Sequence, residues 1–118
     1  MPSPDRGDVW LVDLGYAAKV RPCLVLSVPA LDQDRALCTL VPHTTSPRGS
    51  RFEVESRVGF LKTGVFDTQN LVTIPQAKRI RRLGAMKSEE LVTIGATVRQ
   101  WLGLDTDERE SPRPFDPR

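Results

Sequence analysis

Ser88-Glu89-Glu90-Leu91-Val92-Thr93-Ile94-Gly95-Ala96-Thr97-Val98-Arg99-Gln100-Trp101-Leu102-Gly103 is the stretch of this chain that carries a helical rhythm. Leu91, Ile94, Val98, Trp101 and Leu102 recur at the spacing that lines one helix face with apolar side chains. Ser88 offers an N-cap hydroxyl, Glu89 and Glu90 put negative charge in the first turn, and Gly103 suits the end of a helix. The residues ahead of it follow a shorter period.

Val9-Trp10-Leu11-Val12 is β-branched and aromatic between the turn residues Arg6-Gly7-Asp8 and Asp13-Leu14-Gly15, and so predicts a strand. Pro22 to Ser27 and Ala36 to Val41 repeat the pattern, with Pro42 expected to stop the latter. Thr44-Thr45-Ser46-Pro47-Arg48-Gly49-Ser50 is a turn-rich loop. Arg51 to Glu55 alternates polar and apolar, the mark of a strand with one wet face. Gly64 to Asp67 and Asn70 to Ile74 add further strand material, ended by Pro75. Short, evenly spaced strands with one late helix predict a compact antiparallel sheet or small barrel, not a parallel α/β fold.

At 118 residues the chain is long enough for one ordinary domain and too short for two. Hydrophobic residues at 39% and charged residues at 27% permit a packed core and argue against wholesale disorder. No apolar run approaches the roughly 20 residues of a membrane helix, and Met1 to Arg6 lacks the pattern of a secretory signal, so a cytoplasmic location is expected. Residues 105–118 hold five acids against three arginines, a net charge of −2, which leaves the rest at +4. With Pro112, Pro114, Pro117 and a single large apolar residue, Phe115, they read as an extended or disordered tail to a domain spanning 1–104.

The chemistry-bearing motifs are few. Cys23 and Cys38 each lie inside an apolar run and read as small buried hydrophobes. Two cysteines and the lone His43 do not complete a four-ligand zinc site, so neither a metal nor a cofactor is expected. Walker loop, dinucleotide-binding glycines and nucleophile elbow are all absent, which argues against the chemistries they serve.

Three segments then matter by their order: Arg6-Gly7-Asp8-Val9-Trp10-Leu11-Val12-Asp13-Leu14, Val20-Arg21-Pro22-Cys23-Leu24-Val25-Leu26-Ser27 and Leu40-Val41-Pro42-His43-Thr44-Thr45-Ser46. Their order and spacing resemble the MazF/PemK family of toxin endoribonucleases from toxin–antitoxin pairs. The resemblance continues through Gln69 to Ile74 and the final helix, over residues 6 to 104. It implies a mainly β fold, an SH3-like or CcdB-like small antiparallel β-barrel with a C-terminal helix, as a homodimer. It also implies metal-independent cleavage of single-stranded RNA that leaves a 2′,3′-cyclic phosphate and a 5′-hydroxyl, and a cognate antitoxin as partner.

Carried over residue by residue, Arg21 matches the arginine before the family's proline, and Thr44 its active-site threonine. Arg21 offers a planar fork to phosphate oxygens, against the alternative of a solvated arginine at a strand start. Thr44, followed by Thr45 and Ser46, offers hydroxyls to a phosphate or a 2′-hydroxyl, against the alternative of capping a turn. His43 has the pKa for proton transfer, but strand alternation turns it away from Thr44, so a structural role competes. Asp67 sits one position from where some relatives carry an acid when Gln69 is aligned. Arg48, Arg51, Gln69, Lys19 and Tyr16 are candidate RNA contacts. Lys78-Arg79-Ile80-Arg81-Arg82 with Lys87 supplies five further cations, read either as phosphate-attracting or as a solvated face.

The loop between Leu14 and Arg21 is shorter than the family's usual one. Two further readings accompany the nuclease: a non-catalytic CcdB-like toxin that inhibits a protein such as DNA gyrase, and an RNA-binding module without cleavage.

Overall fold

The computed structural model describes residues 5–15 and 19–105. Seven strands come first: β1 (Asp8–Asp13), β2 (Val20–Val25), β3 (Leu37–Thr44), β4 (Glu53–Ser56), β5 (Gly64–Asp67), β6 (Val72–Pro75) and β7 (Arg79–Ala85). The helix α1 (Ser88–Leu102) closes the order, and short 3-10 turns at Thr68–Asn70 and Gln76–Lys78 flank β6.

All pairings are antiparallel, and the strands follow the order β4-β5-β3-β2-β1-β7 with β6 also on β3. The two neighbours share one edge of β3: Leu37 to Leu40 pair with β6, and His43 and Thr44 pair with β5. Pro42 sits at that changeover. The strand therefore runs through the proline instead of stopping at it, at a point where a missing N–H costs the ladder least.

The expected SH3-like or CcdB-like barrel is overturned, because the sheet is open. Among the described residues no ladder joins β7 to β4 or β6, so the first and last strands of the order remain edges. The 3-10 turn at Gln76–Lys78 carries the chain from β6, beyond β3, to the far side of β1. With α1 packed on β4 and on the Thr68–Asn70 turn, the molecule is a mixed α/β fold: an open sheet and one C-terminal helix.

Strand alternation sends buried side chains to two clusters. One joins Val9, Leu24, Val41, Phe66 and Met86 to Ile94 and Val98 of α1. The other joins Val12, Cys23, Val25, Cys38, Leu40 and Ile74. The helix begins at Ser88, with Lys87 as a cap residue that makes no side-chain cap bond. It ends at Gly103, whose φ of 72° lets the Gly103 and Leu104 amides donate back to the Gln100 and Arg99 carbonyls. Among the described residues no helix is long and apolar enough to cross a membrane.

Candidate functional site

β2 and β3 lie side by side with Cys23 opposite Pro42. Two residues further in that register, Arg21 comes opposite Thr44 on the same face. Both side chains line an open groove of about 540 Å³. Ser46, Arg48, Glu53 and Asp67 supply its other charged and hydroxyl groups, and Leu14, Pro42, Leu71 and Val72 give it apolar walls.

Each polar group is held by the local chain. The Thr44 oxygen accepts from the Ser46 amide at 3.1 Å, so the hydroxyl proton is the part left to donate into the groove. Asp67 caps the 3-10 turn: one carboxylate oxygen accepts from the Gln69 amide at 3.2 Å and the other from the Asn70 side-chain amide at 2.7 Å. Glu53 reaches back into the turn before it, where its carboxylate accepts from the amides of Arg48, Gly49 and Ser50 at 2.8–3.1 Å. These donors, the Arg48 amide foremost, hold the Glu53 carboxyl below its ordinary pKa. They also explain why β4 starts at Glu53, two residues later than the alternation from Arg51 predicts.

The other nominated residues are dispersed. His43 points to the opposite face, where it is buried edge-on against Phe66 with ring centroids 5.3 Å apart. Burial lowers its pKa, and its Nε2 is sealed without a hydrogen-bond partner among the described residues. Thr45 also faces away from the groove, into a cleft that Lys19 and Arg21 line as well. Arg51 lies over the Phe52 ring at 4.5 Å and faces the end of α1. Gln69 is exposed beside the groove, its side-chain oxygen accepting from the Ser50 hydroxyl at 3.3 Å. Tyr16 and tail residues 106–118 lie outside the described residues.

Within the basic cluster, Arg79 is not solvated. It is buried, lies 4.5 Å over the Trp10 ring and donates to the Gln76 carbonyl. Arg82 pairs with Asp8 at 3.2 Å. The two thiols are buried, and desolvation pushes the Cys23 pKa up to about 12. No group of three or more His, Cys, Asp or Glu among the described residues is placed to hold a metal ion. Glu53, Asn70, Leu71 and Val72 line the groove without having been nominated. The one signal for Glu53 was an acid just past a Gly-Ser turn.

Among the described residues an open sheet, one α-helix and a groove bearing arginine, hydroxyl and carboxylate groups define a small mixed α/β protein with a polar groove. Residues 5–102 match the family of PemK-like, MazF-like toxins of type II toxin–antitoxin systems, and the chain belongs to that family. Solved structures agree. An endoribonuclease in complex with its cognate antitoxin, from a mycobacterial species, shares 26% identity at a TM-score of 0.72, covering 87% of this chain and 96% of that one. A second mycobacterial endoribonuclease shares 25% identity at a TM-score of 0.75, covering 91% and 98%. MazF from Deinococcus radiodurans shares 26% identity at a TM-score of 0.72, covering 86% and 97%.

Proposed function

We propose that the chain is an endoribonuclease toxin that cuts single-stranded RNA, mRNA included, at short preferred sequences and without a metal, under the restraint of a cognate antitoxin. The observation that carries this reading is the convergence of Arg21 and the Thr44 hydroxyl on one groove. In the reaction the 2′-hydroxyl oxygen attacks the adjacent phosphorus and the bond from phosphorus to the 5′-oxygen breaks. The products are a 2′,3′-cyclic phosphate and a 5′-hydroxyl.

Arg21 offers paired N–H groups to the two non-bridging oxygens, an interaction that strengthens as charge builds on the phosphorane. Thr44 donates its proton to the same centre. Asp67 is the acceptor for the 2′-hydroxyl proton. Glu53 is less suited to that task, because three backbone amides stabilise its charged form and lower its pKa, whereas Asp67 accepts from one backbone amide and one side-chain amide. The 5′-oxygen departs into an open groove, where solvent supplies its proton. Leu71 and Val72 give bases an apolar wall.

Support for a protein partner comes from the mycobacterial relative solved with its cognate antitoxin. Exposed Trp101, Leu102 and Leu104 at the end of α1 suit burial against a second copy, consistent with a homodimer.

The test is incubation with a long mixed-sequence RNA in chelator, with mapping of the cut sites and their end groups. Cuts at a recurrent short sequence with cyclic-phosphate ends are expected. Arg21→Ala is expected to slow cutting by about 10²–10³, the usual cost of one oxyanion donor, without loss of fold. Undiminished cutting by that variant would overturn the proposed site.

A further inference from the structure

The groove is not the most cationic concavity on the molecule. It holds two arginines beside two carboxylates, Glu53 and Asp67. On the opposite face of the sheet a cleft of about 440 Å³ is lined by Lys19, Arg21, Lys62 and Arg81, with no acidic side chain among its lining residues. Thr45 adds a hydroxyl and Phe60 an aromatic wall.

Three features give the cleft its form. Thr44 and Thr45 are neighbours on the chain and face opposite sides, one into the groove and the other into the cleft. Arg21 lines both, so the two concavities meet around the end of the sheet where β2 starts and β3 finishes. The ring of Phe60 lies directly on the backbone of β7 at Gly84, where a Cβ would come within 2.6 Å of it. That contact seats the wall, while 40% of Phe60 remains exposed.

Cations that follow a path, with an aromatic face beside them, are what a protein uses to hold single-stranded nucleic acid: the charges track the phosphates and the ring stacks on a base. We infer that this cleft is a second RNA subsite, which takes the nucleotides next to the scissile position after the strand passes Arg21 and rounds the end of the sheet. The inference rests on the nuclease reading and extends it. It assigns Lys62 and Arg81 to phosphates and Phe60 to a base, and it makes the bound length of RNA greater than the groove alone accommodates.

The test measures binding of the full chain to a fluorescent twelve-nucleotide 2′-O-methyl RNA, which carries no free 2′-hydroxyl to attack, across a salt series. Lys62→Glu and Arg81→Glu change exposed side chains. Each is expected to weaken binding at least tenfold at low salt and to lower the slope of log affinity against log salt by about 0.7, one phosphate contact on a single strand. Arg35→Glu makes the same charge change in the exposed turn at the other end of the sheet and is expected to weaken binding less than threefold. Thermal melting of each variant establishes that it folds.

A 4-thiouridine placed beside the preferred cut site gives an independent readout, with cross-links to the 57–63 segment expected. Cleft variants that bind like Arg35→Glu while the unaltered chain still cuts RNA would overturn the subsite and leave the nuclease standing. An unaltered chain that neither binds nor cuts would overturn both. Cross-links confined to the groove would overturn the subsite, as would cleft variants that lose a poly-glutamate peptide and keep RNA.

Discussion

Arg21 is half-buried in the sheet and lines concavities on both faces. Its neighbour across the register, Thr44, has one lone pair of its oxygen engaged by the Ser46 amide, which leaves its proton available to donate elsewhere. His43 makes a different contribution. Its folded pKa lies below the ordinary 6.5 through desolvation, so the unfolded chain binds a proton that the folded chain resists. The stabilisation is therefore complete above pH 6.5 and declines as pH falls below it. Melting temperature is expected to drop between pH 7 and pH 5, before Glu53, with an ordinary value of 4.5, begins to contribute. His43→Gln, whatever its own stability, is expected to flatten that part of the profile. Arg21 and Thr44 were legible in the sequence only through the resemblance carried by Val20-Arg21-Pro22 and Val41-Pro42-His43-Thr44, to which alternation added that His43 faces the other way. Glu53 was not. Its role depends on a turn that brings three amides to its carboxylate, and alternation does not encode that.

At the scale of the element, the turn from Arg48 to Ser50 and the junction of β3 with β5 decide the groove's shape. The Glu53 carboxylate ties that turn to the start of β4 through three backbone amides. Glu53→Ala is expected to speed hydrogen exchange at the Arg48, Gly49 and Ser50 amides while the amides of β2 keep their protection, as NMR exchange would record. At the junction, β5 passes so close to β3 that a Cβ on Gly64 would lie 2.2 Å from the Thr44 carbonyl oxygen. Gly64→Ala must push the strands apart, and a loss of about 3 kcal/mol or more in denaturant titration is expected, in the range of severe overpacking. The same displacement moves Thr44, so cutting is expected to fall in any folded fraction. The sequence outlined β5 correctly and left this approach unseen, since a glycine at a strand start reads equally as turn or strand. Pro42 was misread for a related reason: which partner a strand has at each residue is a tertiary fact.

For the whole molecule, the order of many strands and one late helix was plain from periodicity, and the helix bounds fell within a residue of Ser88 and Gly103. Closure was not plain. A barrel and an open sheet share the same alternation and differ only in whether the outermost strands find each other. Here Gln76–Lys78 carries the chain across to β1, and the outermost strands β4 and β7 stay apart. An unpaired edge is a template on which another chain can add a strand, and aggregation starts from such edges. Along β7 the exposed Arg81 meets that hazard with positive charge, beside Arg82 in its pair with Asp8. Two β7 edges carry like charge and so repel each other, most strongly in dilute salt, which disfavours the addition of one copy's β7 to another's.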